Sequence, residues 1–470
     1  MNSYSLERDL VELLGRGAVS SDESDLRRYG GDALGTFRAF RAAGRLNGRA
    51  IAVAWPQNVE DISKSLAYAS RQSVPVVPYG GGTGVMGAAT PLDSAIILNL
   101  GRMDRVVRVD TESRTATFQS GILLEDAHRA LMAHDLRLGH DPWSRPIATL
   151  GGAISTNGVG YTASGHGAMG DQVLGMQAAL GDGEIVESWA VPGAFFGSSL
   201  NHIFIGTEGT FGVISEATVA AFPIPIARSM VCFDFPEFDS GYEAISAIYT
   251  DGLQPTVMDY GDELVPGGDG RRDTATLYLV FEGSKESVEA NVGEATAICL
   301  RHDGRRGSAA VIDRYWTDRH ASAHRYKENV LDNERPDLAR RSSSAYRMDY
   351  LHVALPTGRV LEYRKKCEAL LSEEGVTVRE WSVWGRPEFF SLLISPSDEV
   401  EGGGARLAQT VDRVLRDAQA MGGTMEYCHG VGLKLAHLVE AELGSGMAVA
   451  QRMKRSLDPA GILNPGKIWS

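Results

Sequence analysis

The stretch VPVVPYGGGTGVMG, Val74 to Gly87, constrains this chain more than any other. An apolar run ends in Gly80, Gly81, Gly82, Gly84 and Gly87. Glycine is costly in conformational entropy, so such a cluster demands unusual backbone angles or close approach of another group. The stretch closes a longer pattern, AIAVAWPQNVEDISKSLAYASRQSVPVVPYGGG. It reads as a strand, an N-cap at Asn58, a helix with Ile62, Leu66 and Ala69 facing inward, and a second strand from Val74 to Pro78. This is a βαβ unit that ends in a glycine loop.

Three phosphate-binding readings compete for that loop. A Walker loop needs Gly-Lys-Ser/Thr at its end, and here Thr83, Gly84 and Val85 bring no lysine. A Rossmann fingerprint can be forced through Gly82, Gly84 and Gly87, but no acidic residue ends a second strand at the required distance. The third reading is a nest, in which successive backbone N–H groups converge on a diphosphate and Thr83 adds a hydroxyl.

The rest of the chain reads as alternating elements. Leu6, Leu10 and Leu13 give residues 1–45 a helical lead with an irregular Gly- and Arg-rich continuation. SAIILNL and RVVRVDTESRTATFQS read as strands, LLEDAHRALMAHDL as a helix, and VLGMQAALGDGEIVES as a hairpin turned at Asp182 and Gly183. From about Ala227 glycine thins out, and amphipathic helices alternate with strands such as ATLYLVFEG, which predicts a second α+β domain. HRYKENVLDNERPDLARRSSSAYR reads as a charged loop or lid, and His429 as lying between a strand and a helix.

Composition excludes several classes. A formal charge of −14 over 470 residues gives no basic footprint for nucleic acid or anionic lipid. No apolar run is long enough to cross a bilayer, and the opening residues have no signal-peptide core, so a cytoplasmic protein is expected. Cys232, Cys299, Cys367 and Cys428 are far apart, against a disulfide framework or structural zinc.

Four motifs then occur in a telling order: the glycine loop, TLGGAISTNGVGYTASGHGAMGDQVLGMQAALGDGEIVE, IGTEGTFGVISEATVAAFP, and LDPAGILNPGKIW. This order resembles the flavoproteins of the vanillyl-alcohol oxidase / para-cresol methylhydroxylase (PCMH) superfamily. The nearest flavour is the FAD-linked oxidases that include glycolate oxidase flavin subunits, D-lactate dehydrogenases and alkyldihydroxyacetone-phosphate synthase. The resemblance implies an α+β chain: a two-subdomain PCMH-type FAD-binding domain at 46–225, an α+β cap domain at 226–420, and a C-terminal segment, 421–470, completing the FAD site. It implies that Gly80, Gly81, Gly82, Thr83 and Gly84 hold the pyrophosphate. Pro142, Thr149, Gly151, Gly152, Ser155, Thr156, Asn157 and Gly160 would line the flavin and ribityl chain, and Glu208, Gly209, Val213 and Ile214 would meet the adenine side. Asn464 and Lys467 match the closing turn. Because YGGGTG carries no histidine, attachment of FAD from this loop is excluded, and dissociable FAD is expected.

Flavin oxidation of an alcohol needs a base for the hydroxyl proton, and histidine titrates in the useful range. GGTMEYCHGVGLKLAHL resembles the family's histidine-glycine segment and nominates His429, with Tyr427 and Glu426 beside it. Where metal-dependent relatives have a glutamate before the histidine this chain has Cys428, so no metal is expected. Arg347, Arg325 and Tyr326 are candidate carboxylate binders, each also readable as a solvated residue of a charged loop. His166 falls near the flavin by motif position. The implied activity is oxidation of a hydroxyl-bearing small molecule, a 2-hydroxy acid first and a sugar, polyol or amino-sugar alcohol second. A flavin-dependent carbon–oxygen transferase is the rival from another class. Oxygen or an electron carrier would reoxidise the flavin, and a homodimer is an open assembly.

Overall fold

In the computed structural model, which describes residues 3–34, 48–191, 199–263, 274–334, 348–396 and 403–469, the glycine loop leaves the end of a parallel ladder. Strands Ala50–Ala54 and Val76–Tyr79 both pair in parallel with Ala95–Asn99, and Val19–Ser20 adds an antiparallel edge. The crossover helix Val59–Gln72 starts where the Asn58 side chain accepts from the Asp61 amide at 2.9 Å. Its Ile62, Leu66 and Ala69 are fully buried, in the core that also takes Leu6 and Leu10 of the leading helix Ser3–Leu14. The second strand begins at Val76, two residues later than the pattern predicts. The Val74 amide is spent on Ala69 O at 2.9 Å, and left-handed Ser73 closes the helix.

A second sheet is antiparallel, in the order Val106–Asp110, Thr115–Gln119, Val213–Pro223, Val173–Ala179, Ile185–Glu187, with Leu136–Leu138 also on Val213–Pro223. Gly183, at φ +93°, turns the predicted hairpin. The expected helix through Leu136 stops at Met132 instead. Asp135 takes a left-handed backbone, and pairing with Ala221–Pro223 pulls the next residues into a strand.

The third sheet has seven antiparallel strands in the order Arg305–Arg306, Ala227–Phe235, Ala275–Gly283, Val257–Gly261, Val376–Trp384, Phe389–Pro396, Asp349–Ala354. Helices Phe238–Thr250, Lys285–Arg301, Val360–Glu373 and Gly403–Ala420 add apolar residues to its core. Strand alternation divides the two faces. Tyr260, Leu351, Val353, Trp381, Val383, Phe390 and Leu392 join that core, while Asp259, Tyr350, His352, Ser382, Trp384 and Ser391 alternate with them. After helix Gly446–Leu457 the chain returns to the first sheet, where Leu463 bridges Val76.

Two local expectations fail. Residues 421–432 form turns with one isolated bridge, Thr424 to Ala354, so Glu426 and Tyr427 are not strand residues. Positive φ at Gly430 and Gly432 curls the segment. The charged segment expected as a loop is helical at Ala321–Tyr326 and forms a π turn at Lys327–Leu331, and its residues 335–347 lie outside the described residues. No helix among the described residues is long and apolar enough to cross a membrane.

Candidate active site

The glycine loop forms one wall of a cleft of about 1240 Å³, part of it open to solvent. Gly80, Gly81, Gly82, Thr83 and Gly84 line it, facing Pro142, Thr149, Gly151, Gly152, Ser155 and Thr156, with Glu208, Gly209, Val213 and Ile214 at another wall. The amides of Gly81, Gly82, Thr83 and Gly84 donate to no protein acceptor among the described residues, so the wall is a row of available N–H dipoles. The loop is held by packing that leaves no room for side chains. A Cβ on Gly81 would run into the Ile147 carbonyl, and one on Gly80 into Thr149 Oγ1. Opposite, Thr149 caps the short helix Leu150–Thr156, its Oγ1 accepting from the Gly152 amide at 3.3 Å.

Other predicted residues act behind this surface. Asn157, left-handed at φ +50°, turns its Oδ1 to the Gly170 amide at 2.8 Å. Asn464 donates through Nδ2 to both Ala88 O and Glu208 O at 2.8 Å, so the returning tail pins two walls together. Lys467 is buried, and burial pushes its ammonium down to about 8 although Asp32 and Glu208 pull the other way. The Glu208 carboxylate accepts from Val431 N at 2.7 Å and Gly432 N at 2.8 Å, which ties the cleft to the segment carrying His429. Burial raises this acid to about 8, against the lowering effect of those amides.

Glu426 shapes that segment from within. Its Oε1 accepts from the amides of Tyr427, Cys428 and His429 at 3.1, 2.7 and 2.9 Å, and its Oε2 lies 3.9 Å from His429 Nδ1. The His429 ring packs edge-on to His352, with centroids 4.4 Å apart. His352 Nδ1 meets Ser391 Oγ at 2.7 Å, and that hydroxyl meets Tyr427 OH at 2.8 Å. Tyr427 itself stacks on Phe389 and is kept from ionising by burial. His429 is therefore oriented from two sides, with 18 % of its side chain exposed.

That exposed part stands where two cavities meet. A second cavity, about 920 Å³, shares Val85, Trp143, Val159, Cys428 and His429 with the cleft. Gly160 lines this one and not the cleft, and Tyr161, Met258, Asp259, Tyr350 and Trp384 form its far side. Burial pushes Asp259 up to about 7, although Tyr315 OH donates to its Oδ2 at 2.7 Å. Among the described residues no lysine or arginine lines this cavity, and no three His, Cys, Asp or Glu side chains gather as a metal site requires.

Some nominations fall elsewhere. Arg347 lies outside the described residues. Arg325 is exposed, and neither it nor Tyr326 lines either cavity. His166 packs on Phe222 at 4.1 Å and beside Arg137, away from both cavities, because its helix ends turned toward Leu136–Leu138. Sequence reasoning missed Asp259, Tyr350 and Trp384, which sit on three strands distant in the chain. The signal available was a polar or aromatic residue alternating with core residues in each strand.

A cleft walled by unclaimed glycine amides, beside a second cavity with an oriented imidazole between them, defines a dinucleotide-binding oxidoreductase. Residues 50–188 match the FAD binding domain model, and residues 224–468 match that of the FAD linked oxidases, C-terminal domain. The chain belongs to the FAD-linked oxidase family, binds FAD and is an oxidoreductase. Relatives include the glycolate oxidase subunit GlcD of Bacillus subtilis, 27% identical over 433 residues and 89% of each chain. Another is a probable mitochondrial D-lactate dehydrogenase of Danio rerio, 28% identical over 436 residues, 88% of this chain and 84% of that one. Among solved structures, p-cresol methylhydroxylase with substrate bound superposes with a TM-score of 0.74 at 15% identity, over 100% of this chain and 97% of the other. This last likeness shows the PCMH-type fold.

Proposed function

We propose that the enzyme oxidises a CH–OH group of a small molecule held in the second cavity, with His429 as the base. The observation that carries this reading is the placement of His429 on the wall shared by the FAD cleft and that cavity. The Gly80–Gly84 amides hold the diphosphate, the turn and helix from Pro142 to Thr156 line the flavin side, and residues 226–420 cover it. Bound FAD supplies the acceptor for the hydrogen that leaves carbon with its electron pair. The hydroxyl proton passes to the His429 imidazole as the carbon–oxygen double bond forms. Glu426, 3.9 Å from Nδ1, favours the imidazolium so produced. Trp143, Val85 and Val159 supply apolar surface at the junction.

The names of the relatives put 2-hydroxy acids first among substrates. The cavity favours the second class, an alcohol without a carboxylate. A substrate carboxylate in this cavity would stand beside the Asp259 carboxyl, repelled by its ionised form, and no cation in the described lining offsets its desolvation. The carbon–oxygen transferase reading needs a phosphate-binding cationic cluster that the same lining does not supply. The test is an anaerobic absorbance scan of the FAD-loaded enzyme with hydroxy acids, polyols and amino sugars. Bleaching of the flavin band by one class supports alcohol oxidation, and an unchanged band with every alcohol refutes it.

A further inference from the structure

The far wall of the second cavity carries one carboxyl, that of Asp259, among the aromatic rings of Tyr161, Tyr350 and Trp384. Three phenols stand there or just behind, and each donates inward: Tyr315 to Asp259 at 2.7 Å, Tyr350 to Glu380 at 2.6 Å, Tyr161 to Arg319 O at 3.0 Å. What they leave facing the cavity is the Asp259 carboxyl and ring faces. Asp259 has no ion pair among the described residues, and the carboxylate nearest to it in effect, Glu380, has the same sign. Tyr350 and Trp384 meet edge to face, with centroids 5.3 Å apart, and Tyr161 meets Tyr315 likewise at 6.1 Å. A buried acid needs a partner of opposite charge or a proton, and aromatic faces attract cations. An ammonium group satisfies both, with N–H donors for the carboxyl and a charge for the ring faces.

We propose that the second cavity is a cation site, and that the alcohol oxidised here carries a protonated amine held by Asp259 and the faces of Trp384, Tyr350 and Tyr161. The assignment rests on the alcohol-oxidation reading for the fate of the hydroxyl, but the cation site itself is testable without turnover.

The experiment titrates the oxidised, FAD-loaded enzyme with three matched probes, 2-phenylethylammonium, 3-phenylpropanamide and 3-phenylpropanoate, following the flavin absorption band and the tryptophan emission. The ammonium is expected to bind at least about tenfold more tightly than the amide, with the carboxylate weakest. Asp259→Asn is expected to remove that advantage while FAD stays bound. If that variant does not retain FAD, Trp384→Leu makes the same comparison and should weaken the ammonium selectively. Tightest binding by the carboxylate, an ammonium preference that survives Asp259→Asn, or no response to any probe overturns the cation site. Bleaching by D-lactate or glycolate without an ammonium preference overturns it too, yet leaves alcohol oxidation standing. An ammonium preference with no bleaching by any amino alcohol supports the site and refutes the oxidation.

Discussion

Glu208 makes stability depend on pH in a direction opposite to that of most surface carboxylates. It is buried at the FAD cleft, and burial lifts it from an ordinary 4.5 to about 8. Each tenfold change in proton affinity is worth about 1.4 kcal/mol, so the difference between about 4.5 unfolded and about 8 folded amounts to roughly 5 kcal/mol. The folded state holds the proton more tightly, so this contribution is full below about pH 4.5 and is lost as pH rises through about 8. Glu208→Gln keeps a neutral side chain of the same shape, and its carbonyl oxygen still accepts from the amides of Val431 and Gly432. The variant should match the parent near pH 4 and become progressively the more stable of the two toward about pH 8.5. Lys467 titrates in the same window and is pulled upward by Glu208, so the difference curve reports Glu208 together with its coupling to Lys467. Glu208→Ala behaves otherwise, because it strands two amides that now bond the carboxylate at 2.7 and 2.8 Å. Relative to Glu208→Gln it should cost about 2–4 kcal/mol at every pH. The assay is urea unfolding with FAD in fixed excess, read by circular dichroism and by release of flavin fluorescence. Parallel curves for the parent and Glu208→Gln between about pH 5.5 and 8.5 would refute the reasoning.

Three further outcomes are expected. His429→Ala should retain FAD but slow flavin reduction by the substrate about 10²- to 10⁴-fold in stopped-flow absorbance, and reduction at the parent rate would sink its assignment as base. Gly81→Ala should weaken FAD about 5- to 150-fold in reconstitution titrations of the apoprotein, because overpacking against a backbone carbonyl costs about 1–3 kcal/mol; unchanged affinity would mean that the loop does not hold the cofactor. Arg137 grips Glu282 through both oxygens, at 2.6 and 3.1 Å, and joins strand Leu136–Leu138 to the seven-stranded sheet. Arg137→Ala should lower stability by about 2–3 kcal/mol, less than a lone buried pair would, because Arg228 still reaches Glu282 at 2.7 Å; a denaturation midpoint equal to the parent's counts against that link.

The amino-acid sequence by itself determined the parts of this protein whose physics is local. A strand, an Asn58 cap, an amphipathic helix and a run of glycines specify a βαβ unit with a bare loop, and the loop's need for close approach already points to a phosphate-bearing ligand. His429 was legible for a related reason: a histidine set among glycines in a short turn. Where tertiary pairing overrode local preference, the sequence misled. Leu136 read as the end of a helix until Val213–Pro223 offered a strand partner, and the segment before His429 read as a strand although the Glu426 carboxylate gathers three amides into a turn. Only the tertiary structure decided the substrate cavity. Asp259, Tyr350 and Trp384 are carried by three strands of one sheet, up to 125 residues apart in the chain and with Phe389–Pro396 between the last two, so nothing in the local pattern of any one strand announces the others. A loop that binds cofactor through its own backbone is written in consecutive residues, whereas a pocket assembled across a sheet exists only once strand order and register are set.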